Sequence, residues 1–268
     1  MKLFEIRDDD LNDKLVGYLM YYDRAEEFYI ELPEGIDEAD APFMFARQTR
    51  EKRYSVDKYW SRKWVDARIV PPDRQNIGEI LKVNGLKTYD PFKLLELADG
   101  RCAQDESYIK KADSRQLPEW FFQRMKRKVK DIITPEKHTL VVFFEDGTTR
   151  RVNVDALKGA DRLFGRILRE PEVFSVADVM CGGNGVQWGT ERFIPADILY
   201  TAGERIDFPF EYVQSFINTR VADTGEITDL MNVSRQYINR LVAYRRLMPV
   251  KQGKNNNLFL KSDVEKGI

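Results

Sequence analysis

The chain is poor in the residues on which much enzyme and metal chemistry depends. It has one histidine, His138, and two cysteines, Cys102 and Cys181, in 268 residues. A single histidine leaves no set for a multi-histidine metal site, and Ser-His or Cys-His catalysis would have to run through His138 alone. The stretch "PEKHTLVVFFEDG" places that residue at the entry to a strand, where a loop or strand-edge role is expected. The cysteines have neither the density of a disulfide framework nor metal-ligand spacing, which fits a reducing cytosol. No segment stays apolar for long enough to span a bilayer, and "MKLFEIRDDDLND" holds no run suited to a signal peptide. Internal repeats and low-complexity tracts are lacking too. These absences lead to the expectation of a cytoplasmic, non-enzymatic protein with no cofactor, no metal and no membrane partner.

What is present supports globular cores. Hydrophobic residues make up 43% of the chain and aromatic residues 12%, which argues against disorder. The length allows two or three domains. Net charge is −1, so any contact with nucleic acid has to come from a local patch.

The expected fold class is α+β, with an N-terminal β-hairpin plus helices (1–133), a small α+β middle domain (134–208) and a C-terminal winged helix-turn-helix (209–268). Residues 16–32 alternate as a hairpin with one buried face. Helical spacing follows over 55–69 and 71–85, the second opened by Pro71-Pro72 and closed by Asn84-Gly85. In "YDPFKLLELADG", Asp90 is the N-cap, Pro91 sits at N1 and Gly100 lies past the end. A helix over 118–132 closes the first domain. Next comes a hairpin over 139–154, turned by Asp146-Gly147. A short helix and strand-like stretches around "VFSVADVM" and "GVQWGTERFI" complete the middle, with Gly182-Gly183-Asn184-Gly185 as their turn, and "GERIDFPFE" (203–211) is the expected link to the last domain.

The most informative stretch is "GEITDLMNVSRQYINRLVAYRR", 225–246. Around a helix centred on Ile238, Leu241 and Val242 share the buried side, while Gln236, Arg240 and Ala243 fall opposite, flanked by Tyr237, Asn239 and Tyr244. Ile227, Leu230 and Met231 form an earlier apolar stripe, opened by a capping box between Asp223 and Glu226. Asn232 suits the left-handed end of the first helix, Val233 plugs the elbow and Ser234 caps the second helix. Two short helices with an apolar elbow make a helix-turn-helix. From Asn232 to Lys261 there are seven basic residues and no acidic one, an electrostatic footprint for phosphate. Gln236 suits an adenine edge, Arg240 a guanine edge, and Ala243 the approach of a thymine methyl. Lys251, Lys254 and the Asn255-Asn256-Asn257 turn are expected at the backbone or minor groove. The candidate DNA-binding set is therefore Ser234, Arg235, Gln236, Tyr237, Asn239, Arg240, Tyr244, Lys251 and Lys254, with Arg245 turned back toward the core side.

Two family resemblances accompany this reading. "EITDLMNVSRQYINRLVAYRRLMPVKQGKNNNLFLKSDV" resembles the excisionase-like and MerR-type DNA-binding domains, with "LMPVKQGKNNNLFLKSDV" in the place of the wing and a Ser-Asp-Val helix start. MerR-type regulators continue into a long dimerising helix, whereas this chain ends at Ile268. Any homodimer is therefore expected through the N-terminal or middle domain. Residues 137–206 resemble a bacterial domain-of-unknown-function family, number 2442. The features "VVFFEDGTTRRVNV", "LREPEVFSVADV", "GVQWG" and "IPADILY" occur in that order. This second resemblance implies a compact α+β module and no chemistry.

Weaker signals have plainer readings. Residues 47–76 hold nine basic and four acidic residues among Tyr54, Tyr59, Trp60 and Trp64. Aromatics among cations can stack on bases, but helical spacing assigns the tryptophans to the core and the charges to a solvated face. "QRMKRKVK" (123–130) is a denser basic run, near DNA or a helix surface. Cys102, beside Arg101 and Asp105, reads as one buried cysteine. Pro72-Asp73 with Glu79 and Lys82 departs by one residue from a metal-nuclease spacing. The expected role is sequence-specific recognition of double-stranded DNA, in bacterial transcription regulation or at a mobile-element site. Two rivals stand beside it: an enzyme acting on nucleic acid with a helix-turn-helix targeting module, and a protein-interaction adaptor.

Overall fold

A computed structural model describes residues 1–157, 159–207, 210–254 and 256–267, with the backbone but not the side chains of 160–163, 210 and 211. The chain is a mixed α+β protein built on antiparallel sheets and divides into two compact units, Met1–Phe122 and Gln123–Ile268.

In the first unit, strands β1 (Lys2–Asp8), β2 (Lys14–Tyr22) and β3 (Glu27–Glu31) form a meander. The expected hairpin at 16–32 is its second half, with Tyr21 opposite Phe28. Helices α1 (Ala46–Arg50), α2 (Lys58–Asp66), α3 (Ile77–Val83) and α4 (Pro91–Leu97) follow, with the short strand β4 (Ser55–Val56) before α2 and β5 (Ser107–Lys111) after α4. The sheet order is β4-β3-β2-β1-β5. One face buries Phe4, Ile6, Leu19, Phe28 and Ile30 against Trp64, Phe92 and Leu95.

Several expected bounds move here for local reasons. Ser55 and Val56 pair with β3, so α2 starts later, where the Asp57 carboxylate accepts the N–H groups of Tyr59 and Trp60. Trp64 is fully buried, but Tyr59 and Trp60 are exposed, so only one of these three aromatics belongs to the core. Pro71 and Pro72 make a turn rather than a helix start: the Arg74 N–H bonds the Pro71 carbonyl, and α3 begins only at Ile77. At α4 the Asp90 cap and Pro91 at N1 stand as the sequence indicates.

The second unit begins within α5 (Glu119–Lys126) and continues into β6 (Val129–Glu136). The expected helix over 118–132 therefore ends early. Val129, Ile132 and Ile133 pair with β7 (Thr139–Phe144), and β-branched side chains fit that pleated surface better than a helix interior. A boundary at 133/134 would cut β6, and residues 134–208 and 209–268 fall within one compact unit rather than two. The expected hairpin joins β7 to β8 (Thr149–Asn153) through Gly147 at φ +81°. After α6 (Ala160–Arg169), the "VFSVADVM" stretch opens inside helix α7 (Pro171–Ser175), which starts with Pro171 at N1 and takes in Val173, Phe174 and Ser175. Only the two-residue strand β9 (Asp178–Val179) remains of the expected strand. Strands β10 (Gly185–Trp188) and β11 (Arg192–Pro195) pair, and Gly183 packs so tightly on β6 that a Cβ would lie 2.4 Å from the Val129 carbonyl oxygen. Helix α8 (Ala196–Ala202) and strand β12 (Glu204–Arg205) complete the four-stranded sheet β12-β8-β7-β6, whose core holds Leu140, Val142, Phe144, Phe164, Phe174 and Trp188. Last come α9 (Phe210–Arg220), β13 (Val221–Asp223), α10 (Thr224–Met231), α11 (Arg235–Ala243), β14 (Leu258–Leu260) and α12 (Lys261–Glu265).

Candidate nucleic-acid interface

Short-range caps set the geometry of α10 and α11. At the start of α10 the Asp223 side chain accepts the Glu226 N–H, and Glu226 Oε2 accepts the Asp223 N–H, each at 2.9 Å. The Glu226 N–H holds the Asp223 carboxyl below its ordinary pKa. The helix ends at Asn232, whose φ of 50° and ψ of 51° are left-handed, and the Val233 N–H closes back on the Thr228 carbonyl. Ser234 Oγ then accepts the Tyr237 N–H at 3.2 Å. Ile238 and Leu241 are buried with Ile227, Met231, Leu247 and Phe259, and Val233 sits half-buried in the elbow.

That packing leaves Arg235, Gln236, Asn239, Arg240 and Ala243 exposed on α11, with Tyr237 half-buried. The Arg240 guanidinium lies over the Tyr237 ring at 5.0 Å, which restrains the arginine without neutralising it. Tyr244 is 72% exposed just past the helix. Arg245 is not turned to the core: it has φ +55° beyond the helix end and is exposed, as is Arg246. Arg235 reaches Asn256 Oδ1 at 3.4 Å.

The segment after α11 returns as a ribbon. Its first strand is reduced to a single bridge, Lys251 opposite Leu258, and on its other edge β14 pairs with β13 along its whole length. Asn256 and Asn257 are tied inward. The Asn256 amide donates to Asp223 Oδ2 at 3.0 Å, its Oδ1 accepts the Thr224 N–H, and the Asn257 N–H bonds Thr224 Oγ1. These two asparagines hold the ribbon to α10, and Asn255 lies outside the described residues. Lys251 and Lys254 remain exposed at the ribbon's tip. Ser262 does not cap α12; it is buried and donates to Asp131 Oδ2 at 2.9 Å.

Most cations of this region form no direct ion pair. Arg240, Arg245, Arg246, Lys251, Lys254 and Lys261 form no ion pair among the described residues. In 47–76, by contrast, Arg47, Arg53, Lys58, Arg62 and Arg68 reach carboxylates at 3.0, 3.7, 3.1, 2.7 and 2.5 Å, and Arg50 pairs with Glu38. Within 123–130, Arg124 and Lys128 are buried, so that run is not one continuous basic surface.

A buried charge cluster supports α9 and α12. Arg220 Nε bonds Asp131 Oδ1 at 2.6 Å, and its NH2 group bonds Glu265 Oε2 at 2.5 Å. Burial opposes the guanidinium's charge, but Asp131 and Glu265 outweigh it and hold the Arg220 pKa above its ordinary value. Burial also pushes the Glu265 carboxyl up despite its partner. The sequence reading missed this cluster, since Asp131 lay inside the expected helix.

The other candidates resolve plainly. His138 occupies the β6–β7 turn at φ +61°, and its ring nitrogens face Asp155 Oδ2 and the Leu168 carbonyl. Cys102 is half-buried rather than buried and approaches Asp105 Oδ1 at 3.8 Å. Among the described residues no group of three or more His, Cys, Asp or Glu could hold a metal ion, and no helix is long and apolar enough to cross a membrane. No family model matches the chain, and no curated protein or solved structure is significantly similar to it.

Proposed function

We propose that residues 221–265 are a winged helix-turn-helix that binds double-stranded DNA, with α11 in the major groove and the ribbon at Lys251 and Lys254 against phosphates. The supporting observation is the set of unpaired cations around an exposed polar helix face: a surface of like charge without counter-ions of its own is complementary to a polyanion. Gln236 and Arg240 sit one turn apart on that face, where one can bond an adenine edge and the other a guanine edge. Arg245, Arg246, Lys251 and Lys254 meet the backbone, Tyr237 and Tyr244 flank the contact, and Asn239 borders the base-reading pair. Ser234 and Arg235 position the helix start. The biological role is that of a cytoplasmic, non-enzymatic regulator of transcription or site-recognition factor of a mobile element, as the excisionase-like and MerR-type resemblance implies.

Duplex binding measured across a salt series tests this reading. Affinity falls steeply with salt, and replacing both Lys251 and Lys254 by Ala lowers the magnitude of the slope by about one unit per lost phosphate contact, for all sequences alike. Salt-independent binding, or none, sinks the proposal.

A further inference from the structure

The second unit contains an open cleft of about 520 Å³, walled by β6, the α7–β9 segment, α9, α10 and α12. That volume is in the range of a ligand or a few peptide side chains. Four carboxylates line it, Asp178, Glu226, Asp229 and Glu265, against two cations, Arg220 and Lys261. Arg220 is held by Asp131 and Glu265, and Glu226 accepts the capping N–H of Asp223. The side chains of Asp178 and Asp229 have no hydrogen bond or ion pair among the described residues. Asp178 opens into the cleft, yet the surrounding walls strip enough water from it to push its pKa up, against the pull of Arg220 and Lys261. At the same cleft, Val176 is 63% exposed and Leu230 52% exposed. No residue of α11 lines it.

We propose that this cleft docks a basic, amphipathic segment of a partner protein, with lysine or arginine side chains against Asp178 and Asp229 and a neighbouring aliphatic side chain on Val176 and Leu230. Charge complementarity selects this occupant: the excess of carboxylate repels phosphate and so disfavours nucleic acid, while the partly desolvated Asp178 gains from an arriving cation. The adjacent apolar pair adds area that a small inorganic cation cannot cover. Because α11 takes no part, the inference stands or falls independently of DNA binding.

The test uses the full chain and a short synthetic peptide of leucine and lysine at helical spacing, with affinity read by fluorescence anisotropy and location by methyl NMR. The expected result is binding that shifts the Val176 and Leu230 methyl signals. Asp178→Asn and Asp229→Asn each weaken it by about fivefold, and Leu230→Ser by about tenfold. Glu191→Gln, an exposed carboxylate away from the cleft, leaves it unchanged. Thermal melts confirm that each variant is folded. Equal binding of a counterpart with glutamate in place of lysine overturns the proposal. So does equal saturation by free lysine amide, or wild-type affinity in all three cleft variants.

Discussion

Residues 47–76 and 232–261 are windows of equal length with nine and seven basic residues, and they deploy that charge in opposite ways. In the first, six of the nine cations reach carboxylates, three of which, Glu27, Glu38 and Asp105, lie outside the window altogether. In the second, every cation but Arg235 stands without an ion pair among the described residues. Density of positive charge along the chain is thus a poor guide to how much of that charge folding leaves unpaired. What matters is whether folding brings acids to those cations, and Arg220 shows a third use, in which a cation is buried between carboxylates to hold elements together.

The costliest substitution is at Arg220. Replacing it with Met leaves Asp131 and Glu265 buried without their shared partner, which costs roughly 3–5 kcal/mol of the second unit's stability. Urea unfolding measures this, and a loss under about 1 kcal/mol would mean that the cluster is not the joint between β6, α9 and α12. A smaller effect is expected at Arg240, exposed and unpaired. Arg240→Ala costs roughly 1–3 kcal/mol of affinity on a preferred DNA site while leaving stability nearly unchanged. Selection from random DNA supplies that site. An identical consensus from wild type and from the Gln236/Arg240 double alanine variant would show that α11 does not read bases.

Legibility from sequence follows the range of the interactions. The α10–α11 turn was readable because Asp223, Asn232 and Ser234 each act on a neighbour within four residues. The Asp90 and Pro91 start of α4 was readable for the same reason. The Asp131–Arg220–Glu265 cluster was not, since its bonds span 89 and 45 residues and no local pattern announces them. Strand β6 was misread because its basic approach continues a helical rhythm, and only pairing with β7 overrides it. The ribbon's expected first strand shrinks to the Lys251–Leu258 bridge, and β14 takes its longer pairing from β13, which precedes both helices. Of the nine residues proposed from sequence at the interface, Tyr237 is half-buried and the others are exposed. Asn256 and Asn257 moved from contact to support.

A third prediction separates the helix's stability from its charge. Ser234→Ala removes the side-chain acceptor of the Tyr237 N–H, which keeps its bond to the Ser234 carbonyl, and costs about 1 kcal/mol of stability. Its effect on DNA affinity appears at all sequences alike, because Ser234 sets the helix start rather than a base contact. A sequence-dependent loss on this substitution would give Ser234 a direct role in reading.

The Arg62–Asp66 pair shows what a cation does once a carboxylate has answered its charge. Arg62 pairs with Asp66 at 2.7 Å across one turn of α2, and both side chains are partly exposed. An exposed pair of this spacing stabilises a helix by about 0.3–0.5 kcal/mol, so Arg62→Ala shifts the first unit's stability by no more than that. Because Asp66 already answers its charge, Arg62 has little left to attract phosphate. The variant should therefore leave both the DNA affinity and its salt slope at wild-type values. Lys251→Ala removes the same formal charge but should flatten the slope. Equal slopes for the two variants would show that net charge alone governs binding, and the distinction between paired and unpaired cations would fall.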